Sequence, residues 1–200
     1  MTSKEYQQIV EQCSKSIEMN PNDENAFFKR GDAYYELGND KKSIEDLEMA
    51  IKLKPDYWAA YHMLGFVHSA LDENEKAIDF FNKAISVKPD AINSYFTRGN
   101  VYTKLGELEK AIKDYTKAIE LDDKDAEFFY NRGNIYYDLG KYARAIEDLD
   151  IAIKLKPDFA AAYYNRGQCH RELGNREQFA SDYYKSVELN PDFKGGPKTT

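Results

Sequence analysis

Five glycines, Gly31, Gly65, Gly99, Gly133 and Gly167, recur every 34 residues with no insertion or deletion between them. A fixed period of this length marks an array of small supersecondary units. Each is too small to bury its own apolar face, so each depends on its neighbours for a core. With the glycine counted as position 8, the chain divides into 24–57, 58–91, 92–125, 126–159 and 160–193. Position 4 is aromatic (Phe27, Tyr61, Tyr95, Phe129, Tyr163). Position 14 is leucine (Leu37, Leu71, Leu105, Leu139, Leu173), and position 28 is Ile51, Ile85, Ile119, Ile153 and Val187.

Each repeat reads as two helices. Positions 4, 7, 8, 11 and 14 follow the spacing of one helical face, and positions 20, 21, 24, 27 and 28 follow that of a second. Gly38, Gly106, Gly140 and Gly174 stand between them, where a left-handed C-cap ends a helix. Asp72 takes that place in the second repeat and is expected to be strained there. The glycine at position 8 suits a close helix crossing that leaves no room for a side chain. Pro55, Pro89, Pro157 and Pro191 stop the second helix, and the aspartates after them (Asp56, Asp90, Asp158, Asp192) are expected to cap the next one. The third repeat has Asp123 in place of proline, within "ELDDKDAEFF", which predicts a looser joint. Carried back in register, residues 1–23 form the second helix of a repeat whose first helix is absent, an N-terminal half-repeat that caps the array. Residues 194–200, "KGGPKTT", read as a flexible tail.

The glycine at 8, the aromatics at 4 and 11, the small residue at 20, Ala at 27 and Pro at 32 resemble the tetratricopeptide repeat over all of 24–193 and part of 1–23. That resemblance implies an all-α fold, a right-handed superhelical solenoid of antiparallel helix pairs. It also implies a concave groove lined by the first helix of each pair, in a family that serves as a binding platform with no chemistry of its own.

Position 7, normally apolar in the family, is Arg30, Leu64, Arg98, Arg132 and Arg166. Position 23 is Asp46, Phe80, Asp114, Asp148 and Asp182. Arginine always coincides with aspartate, and Leu64 coincides with Phe80. In an antiparallel hairpin these positions lie level, which predicts a bidentate bridge between the two helices of a repeat. The competing reading turns the arginines into the groove to hold an acidic ligand.

The resemblance places groove residues mainly at positions 2, 5, 6, 9, 12 and 13. The candidates for holding a peptide there are Phe28, Tyr35, Phe96, Tyr130, Tyr137 and Tyr164, whose rings give contact area at low entropic cost. Asn100, Asn131, Asn134 and Asn165 carry donors and an acceptor suited to a peptide backbone of any sequence. The plainer reading packs the tyrosines between neighbouring helices and leaves the asparagines solvated. The family's carboxylate clamp for acidic chaperone tails needs a cation at position 5 of one repeat and cations at positions 2 and 6 of the repeat two further on. This chain offers Phe96, Ala161 and Asn165 there, so acidic tails are disfavoured as partners. Acidic groove residues (Asp32, Glu36, Glu127, Asp138, Glu172) also outnumber basic ones (Lys29, Lys104, Arg171).

A formal net charge of −7 argues against a nucleic-acid backbone as ligand, because phosphate binding needs a basic stripe. No apolar run approaches a membrane span, and the start has no apolar signal core. Cys13 and Cys169 suggest no disulfide framework, and a reducing cytoplasm is the expected setting. His62, His68 and His170 lack a shared ligand spacing and read as packing residues, so neither a metal nor a cofactor is expected. No phosphate loop or catalytic constellation is evident, and the chain is not expected to be an enzyme. The reading is therefore a protein-interaction scaffold that holds a peptide segment of a protein partner in its groove. The alternative is a structural array, a homo-oligomer assembling through its terminal helices.

Overall fold

The computed structural model describes residues 1–194, so most of the tail expected at 194–200 lies outside the described residues. Among the described residues there are eleven α-helices and no strand. They are α1 (Ser3–Met19), α2 (Glu24–Glu36), α3 (Asp40–Leu53), α4 (Trp58–Ala70), α5 (Asn74–Val87), α6 (Ile92–Lys104), α7 (Leu108–Leu121), α8 (Ala126–Asp138), α9 (Tyr142–Leu155), α10 (Ala160–Glu172) and α11 (Arg176–Leu189). A 3₁₀ turn follows at Pro191–Phe193. The chain forms two compact units, Met1–Val101 and Tyr102 onward. In the first unit α2 packs on α3 and α4 on α5, with α1 against α2 and α3 against α4. In the second, α8 packs on α9 and α10 on α11, with α9 against α10.

Local chemistry sets the helix ends. Thr2 opens α1 with a capping box. Its Oγ1 accepts from the Glu5 N–H at 3.3 Å, and its own N–H donates to Glu5 Oε2 at 2.5 Å. Asp23 caps α2 by accepting from the Ala26 N–H at 3.0 Å, and it accepts from Ser16 Oγ of α1 at 2.8 Å. Such a cap satisfies a backbone donor that the first helical turn leaves unpaired. The capping expected of Asp56 and Asp158 does not occur. Tyr57 and Phe159 hold the N-cap positions without a side-chain bond, and each aspartate gives only its backbone carbonyl, to Trp58 and Ala160. The proline turn places these aspartates one residue too early. Capping acids stand one place later, at Asp23 and Asp125.

The first helices end as the glycines require. Gly38, Gly106, Gly140 and Gly174 have φ of 73°, 73°, 67° and 78°. Asp72 adopts φ 62° without glycine's freedom, and among the described residues it is the one non-glycine with positive φ. The position-8 glycines are needed for space instead. A Cβ on Gly65 would lie 2.7 Å from Phe81 Cε1, and one on Gly31 would lie 2.9 Å from Leu47 Cγ. Small residues at positions 20 and 27 allow the same close approach on the second helices: Ala77, Ala84, Ala145 and Ala152 are wholly buried. The core of the first unit gathers Phe27, Leu47, Ala50, Ala60, Leu64 and Val67. That of the second gathers Phe129, Ala145, Leu149, Ala152, Ala162 and Cys169. Burial pushes the Cys169 thiol up to about 12, which leaves it an inert packing group.

The arginines at position 7 are spent on the scaffold. Arg30 donates from Nε and Nη2 to Asp46 at 2.7 and 2.8 Å. Arg132 donates in the same way to Asp148, both at 2.8 Å, and Arg166 to Asp182 at 2.8 and 2.6 Å. Each aspartate is buried, and hydrogen bonding to it raises the arginine's pKa further above its ordinary value. The reading that turns these arginines toward an acidic groove ligand is therefore replaced by the inter-helix bridge. Asp114 is also buried, and Arg98 donates to Asn82; Arg98 and Asp114 lie one in each unit. In the second repeat Leu64 is buried and Phe80 packs against its cluster, stacked on His68 at 5.2 Å. His68 is a packing residue bonded to Glu73 Oε2 at 2.6 Å.

Each arginine has a third contact that pattern reading overlooked. Nη1 of Arg30, Arg132 and Arg166 reaches Ser14, Thr116 and Asp150, on the second helix of the preceding repeat, at 3.0, 3.0 and 2.6 Å. Position 25 carried the signal. Before each arginine repeat it is a short acceptor (Ser14, Asn82, Thr116, Asp150), and before Leu64 it is the exposed Glu48.

At the Asp123 joint α7 is no shorter than its counterpart α9, and both run for 14 residues. Side chains replace the proline: Asp122 Oδ1 accepts from the Lys124 N–H at 3.0 Å, and Asp125 Oδ1 caps α8 through the Glu127 N–H at 2.9 Å.

Candidate functional site

In the second unit α8 and α10 present neighbouring faces. Residues three and four apart on a helix share a face, so Tyr130, Asn134, Tyr137 and Asp138 line up on α8, and Tyr164, Asn165 and Gln168 on α10. Asn165 joins the two. Its Nδ2 donates to Asn134 Oδ1 at 2.7 Å and lies 3.2 Å from the Tyr130 hydroxyl. Asn131 does not join the bridge; its Nδ2 donates to the Glu127 carbonyl of its own helix at 2.8 Å. A cavity of about 330 Å³ opens beside the Asn165 bridge, lined by Asn134, Tyr137, Asp138, Tyr164, Asn165 and Gln168.

The rings are fixed from behind. Tyr130 packs on Phe159 at 4.6 Å, Tyr164 stacks on Phe193 at 5.1 Å, and Tyr137 meets Tyr142 at 5.6 Å. These rings are half-buried, so inter-helix packing and an open face coexist on one side chain. Burial raises the pKa of the Tyr137 and Tyr164 hydroxyls, and nearby Glu172 adds to the effect on Tyr137. Burial also raises the Asp138 carboxyl.

The other predicted residues lie in the first unit. Phe28 packs on Tyr57 at 5.1 Å, and Tyr35 meets Phe66 edge-on at 5.5 Å. Phe96 is half-buried and Asn100 exposed, both on α6. Burial, then the field of Glu36, raises the Asp32 carboxyl. The structure thus brings together Tyr130, Asn134, Tyr137, Tyr164 and Asn165, and places Phe28 and Tyr35 in a separate aromatic set. Sequence reasoning missed the partners at position 34. Tyr57, Phe159 and Phe193 are aromatic in the repeats where position 5 is Phe28, Tyr130 and Tyr164, a correlation broken only in the third repeat, where Phe96 coincides with Asp125. It also missed Gln168, whose burial no pattern indicates.

Among the described residues no group of His, Cys, Asp and Glu could hold a metal ion, and no helix is long and apolar enough to cross a membrane.

The tetratricopeptide repeat family matches residues 31–72, 99–140 and 133–174 under one description and 59–91 and 160–193 under another. The chain belongs to this family, whose fold is a scaffold for protein–protein interaction. No curated protein matches it significantly by sequence. Among solved structures it is similar to YrrB, described as "a TPR protein with an unusual peptide-binding site" (23% identity, 92% of this chain and 95% of that one, TM-score 0.79). It is similar to MamA from Desulfovibrio magneticus RS-1 (16% identity, 84% of this chain and 96% of that one, TM-score 0.78). It also resembles the C-terminal part of a repeat-containing protein from Cytophaga hutchinsonii (21% identity, 96% of this chain and 76% of that one, TM-score 0.80). At these identities the likeness concerns the fold, which is the tetratricopeptide solenoid.

Proposed function

We propose that the face formed by α8 and α10 binds a peptide segment of a protein partner, with Tyr130, Tyr137 and Tyr164 as contact surfaces and Asn134 and Asn165 as backbone anchors. The observation that carries this is the Asn165 bridge: two asparagines and a tyrosine from successive repeats converge beside an open cavity, with the Tyr130 ring held by Phe159 and the neighbouring Tyr164 ring by Phe193. Preorganised aromatic and amide groups lose little freedom on binding. Phe28 and Tyr35 offer the corresponding surface in the first unit, Phe96 and Asn100 join by repeat position, and Asn131 contributes its carbonyl side. In this reading 24–193 forms five repeats and α1 caps the array. The scaffold works by binding alone, and a soluble cytoplasmic partner suits it. Selection from a random peptide library tests the proposal. Bound peptides are expected to be lost from the Tyr130→Ala/Tyr164→Ala variant; retention of all of them would overturn it.

One observation favours the alternative of self-association: Tyr184 on α11 is 71% exposed. A second copy covering it would make the light-scattering mass rise with concentration, and Tyr184→Ser would abolish the rise.

A further inference from the structure

The cavity between α8 and α10 has a wall that the peptide reading does not use. Gln168 is only 9% exposed, lines that cavity, and has no hydrogen-bond partner among the described residues. The side-chain polar atoms that are both sealed from solvent and unpaired among the described residues are Ser43 Oγ and Asn74 Oδ1, so the Gln168 amide is open to the cavity and free to bond a ligand there. At the equivalent position of the preceding repeat, Asn134 is paired, with Asn165. Asp138 lines the same cavity, and its carboxylate likewise has no ion-pair or hydrogen-bond partner among the described residues. The remaining walls include the rings of Tyr137 and Tyr164. At the margin Arg171 is engaged by Glu172 at 3.2 Å, so that pair is neutral and the cavity keeps one uncompensated negative charge.

An unpaired carboxylate, an amide open to the cavity with no bond among the described residues, and two tyrosine rings have one complement in common. We propose that this cavity receives a basic side chain of the bound segment, a guanidinium held by the Asp138 carboxylate and the Gln168 amide oxygen against the tyrosine rings. This rests on the peptide-binding reading of the same face and names its ligand class. A guanidinium fits better than an ammonium because it is planar, carries five donors that can serve a carboxylate and an amide together, is weakly hydrated and stacks on aromatic faces. An anion would meet Asp138, and a neutral side chain would leave its charge uncompensated. Burial already raises the Asp138 carboxyl, so a cation beside it relieves a charge that folding partly desolvates.

The test uses the full chain, with N-acetyl-arginine methylamide and its uncharged citrulline analogue as probes, followed by amide chemical shifts. The arginine probe is expected to move resonances within 134–138 and 164–168 and to bind about threefold or more tighter than the citrulline probe, the size of effect a partly exposed charge pair gives. Asp138→Asn is expected to erase that preference, and Gln168→Leu to weaken the arginine probe. Asp138 is on the surface, so its variant remains informative even if Gln168→Leu misfolds. Equal binding of the two probes to the unaltered chain, or an arginine preference that survives Asp138→Asn, overturns the proposal. The peptide library separates the two readings. Peptides lost with Tyr130→Ala/Tyr164→Ala but not enriched in arginine would leave the peptide face standing and remove this pocket. Arginine-probe binding in the cavity with no library peptide bound would do the reverse.

Discussion

Arg166 meets Asp182 through two parallel N–H···O bonds of 2.8 and 2.6 Å, and its remaining nitrogen holds Asp150 of the preceding repeat at 2.6 Å. One side chain thus pins three helices: its own α10, then α11 and α9. The geometry recurs at Arg30 and Arg132, so the guanidinium acts within and between repeats at once. A lysine, with a compact ammonium in place of a planar fork, could not keep all three contacts.

The first prediction compares two ways of removing such a bridge. Asp148→Ala leaves the Arg132 guanidinium partly buried without its carboxylate, which costs roughly 3–5 kcal/mol for a buried pair. Arg132→Leu with Asp148→Phe copies the Leu64/Phe80 solution. It is expected to be within about 1–2 kcal/mol of the parent, since apolar replacements of similar bulk are often near neutral. Denaturant melts of the two variants check this. A double variant weaker than the single one would show that the bridge contributes more than its apolar counterpart.

The second prediction concerns the close crossings. Gly65→Ala sets a Cβ 2.7 Å from the ring of Phe81, which is wholly buried and has nowhere to move. Overpacking of this kind costs about 1–3 kcal/mol. At Gly167 the nearest atom is Asp182 Cβ at 3.2 Å, and a small shift accommodates it. There the helix-forming advantage of alanine, roughly 0.5–1 kcal/mol, offsets most of the contact. Gly65→Ala is therefore expected to lower the thermal midpoint clearly more than Gly167→Ala, and equal losses would refute the distinction.

Why was so much visible in the sequence? One position repeated five times exposes its own rule, so Gly38 and Gly174, or the Arg–Asp and Leu–Phe alternation, announce their partners without coordinates. Asn165 does not. Its bond to Asn134 joins two repeats through side-chain directions that spacing leaves open, and the same freedom lets Asn131 turn back to Glu127. Gln168 looks like any polar groove residue until its burial is seen. The capping aspartates missed by one residue, because the proline turn fixes where α4 and α10 begin and composition alone does not resolve a single step of chain.

The third prediction is a pH dependence. Burial raises the Asp32 and Asp138 carboxyls, with Glu36 adding to the effect at Asp32. The folded state therefore binds these protons more tightly than the unfolded chain. Their contribution to stability is full below the ordinary carboxylate value and is lost as pH rises through the raised folded values. Asp32→Asn and Asp138→Asn are accordingly expected to raise the thermal midpoint at neutral pH and to leave it unchanged in acid. A lower midpoint at neutral pH would mean that these carboxylates have favourable partners. Such a gain at Asp138 would also mark it as a residue kept at a cost to stability, as ligand-facing charges are.

A fourth expectation follows from the cations. Arg171 is paired with Glu172, and position 5 of the third repeat is Phe96, where an acidic-tail clamp needs lysine. Calorimetry with acidic chaperone tail peptides should give no measurable heat of binding. Micromolar affinity abolished by Asn131→Ala would show that the clamp works here without its lysines.

The last prediction returns to Asp123. Its predecessor Asp122 has φ -148° and ψ 113°, close to Lys156 before Pro157 at -132° and 87°. The extended region is the one a residue before proline prefers. The residue before position 123 therefore already has the conformation that proline requires of its predecessor. What holds the joint now is side-chain bonding, from Asp122 to Lys124 and from Asp125 to the first turn of α8. Removing the cap with Asp125→Ala should cost about 0.5–2 kcal/mol and speed amide exchange across 119–126 relative to the matching 153–160. Asp123→Pro should act in the opposite direction, adding roughly 0.4–1 kcal/mol by restricting the unfolded chain. It also removes one acid near the C-terminal end of α7, where negative charge opposes the helix dipole. The two changes touch separate bonds, so Asp123→Pro should recover part of what Asp125→Ala loses when they are combined. If Asp123→Pro destabilises the chain, or leaves exchange at 119–126 faster than in the parent, the side-chain turn at this joint is incompatible with proline despite its backbone angles.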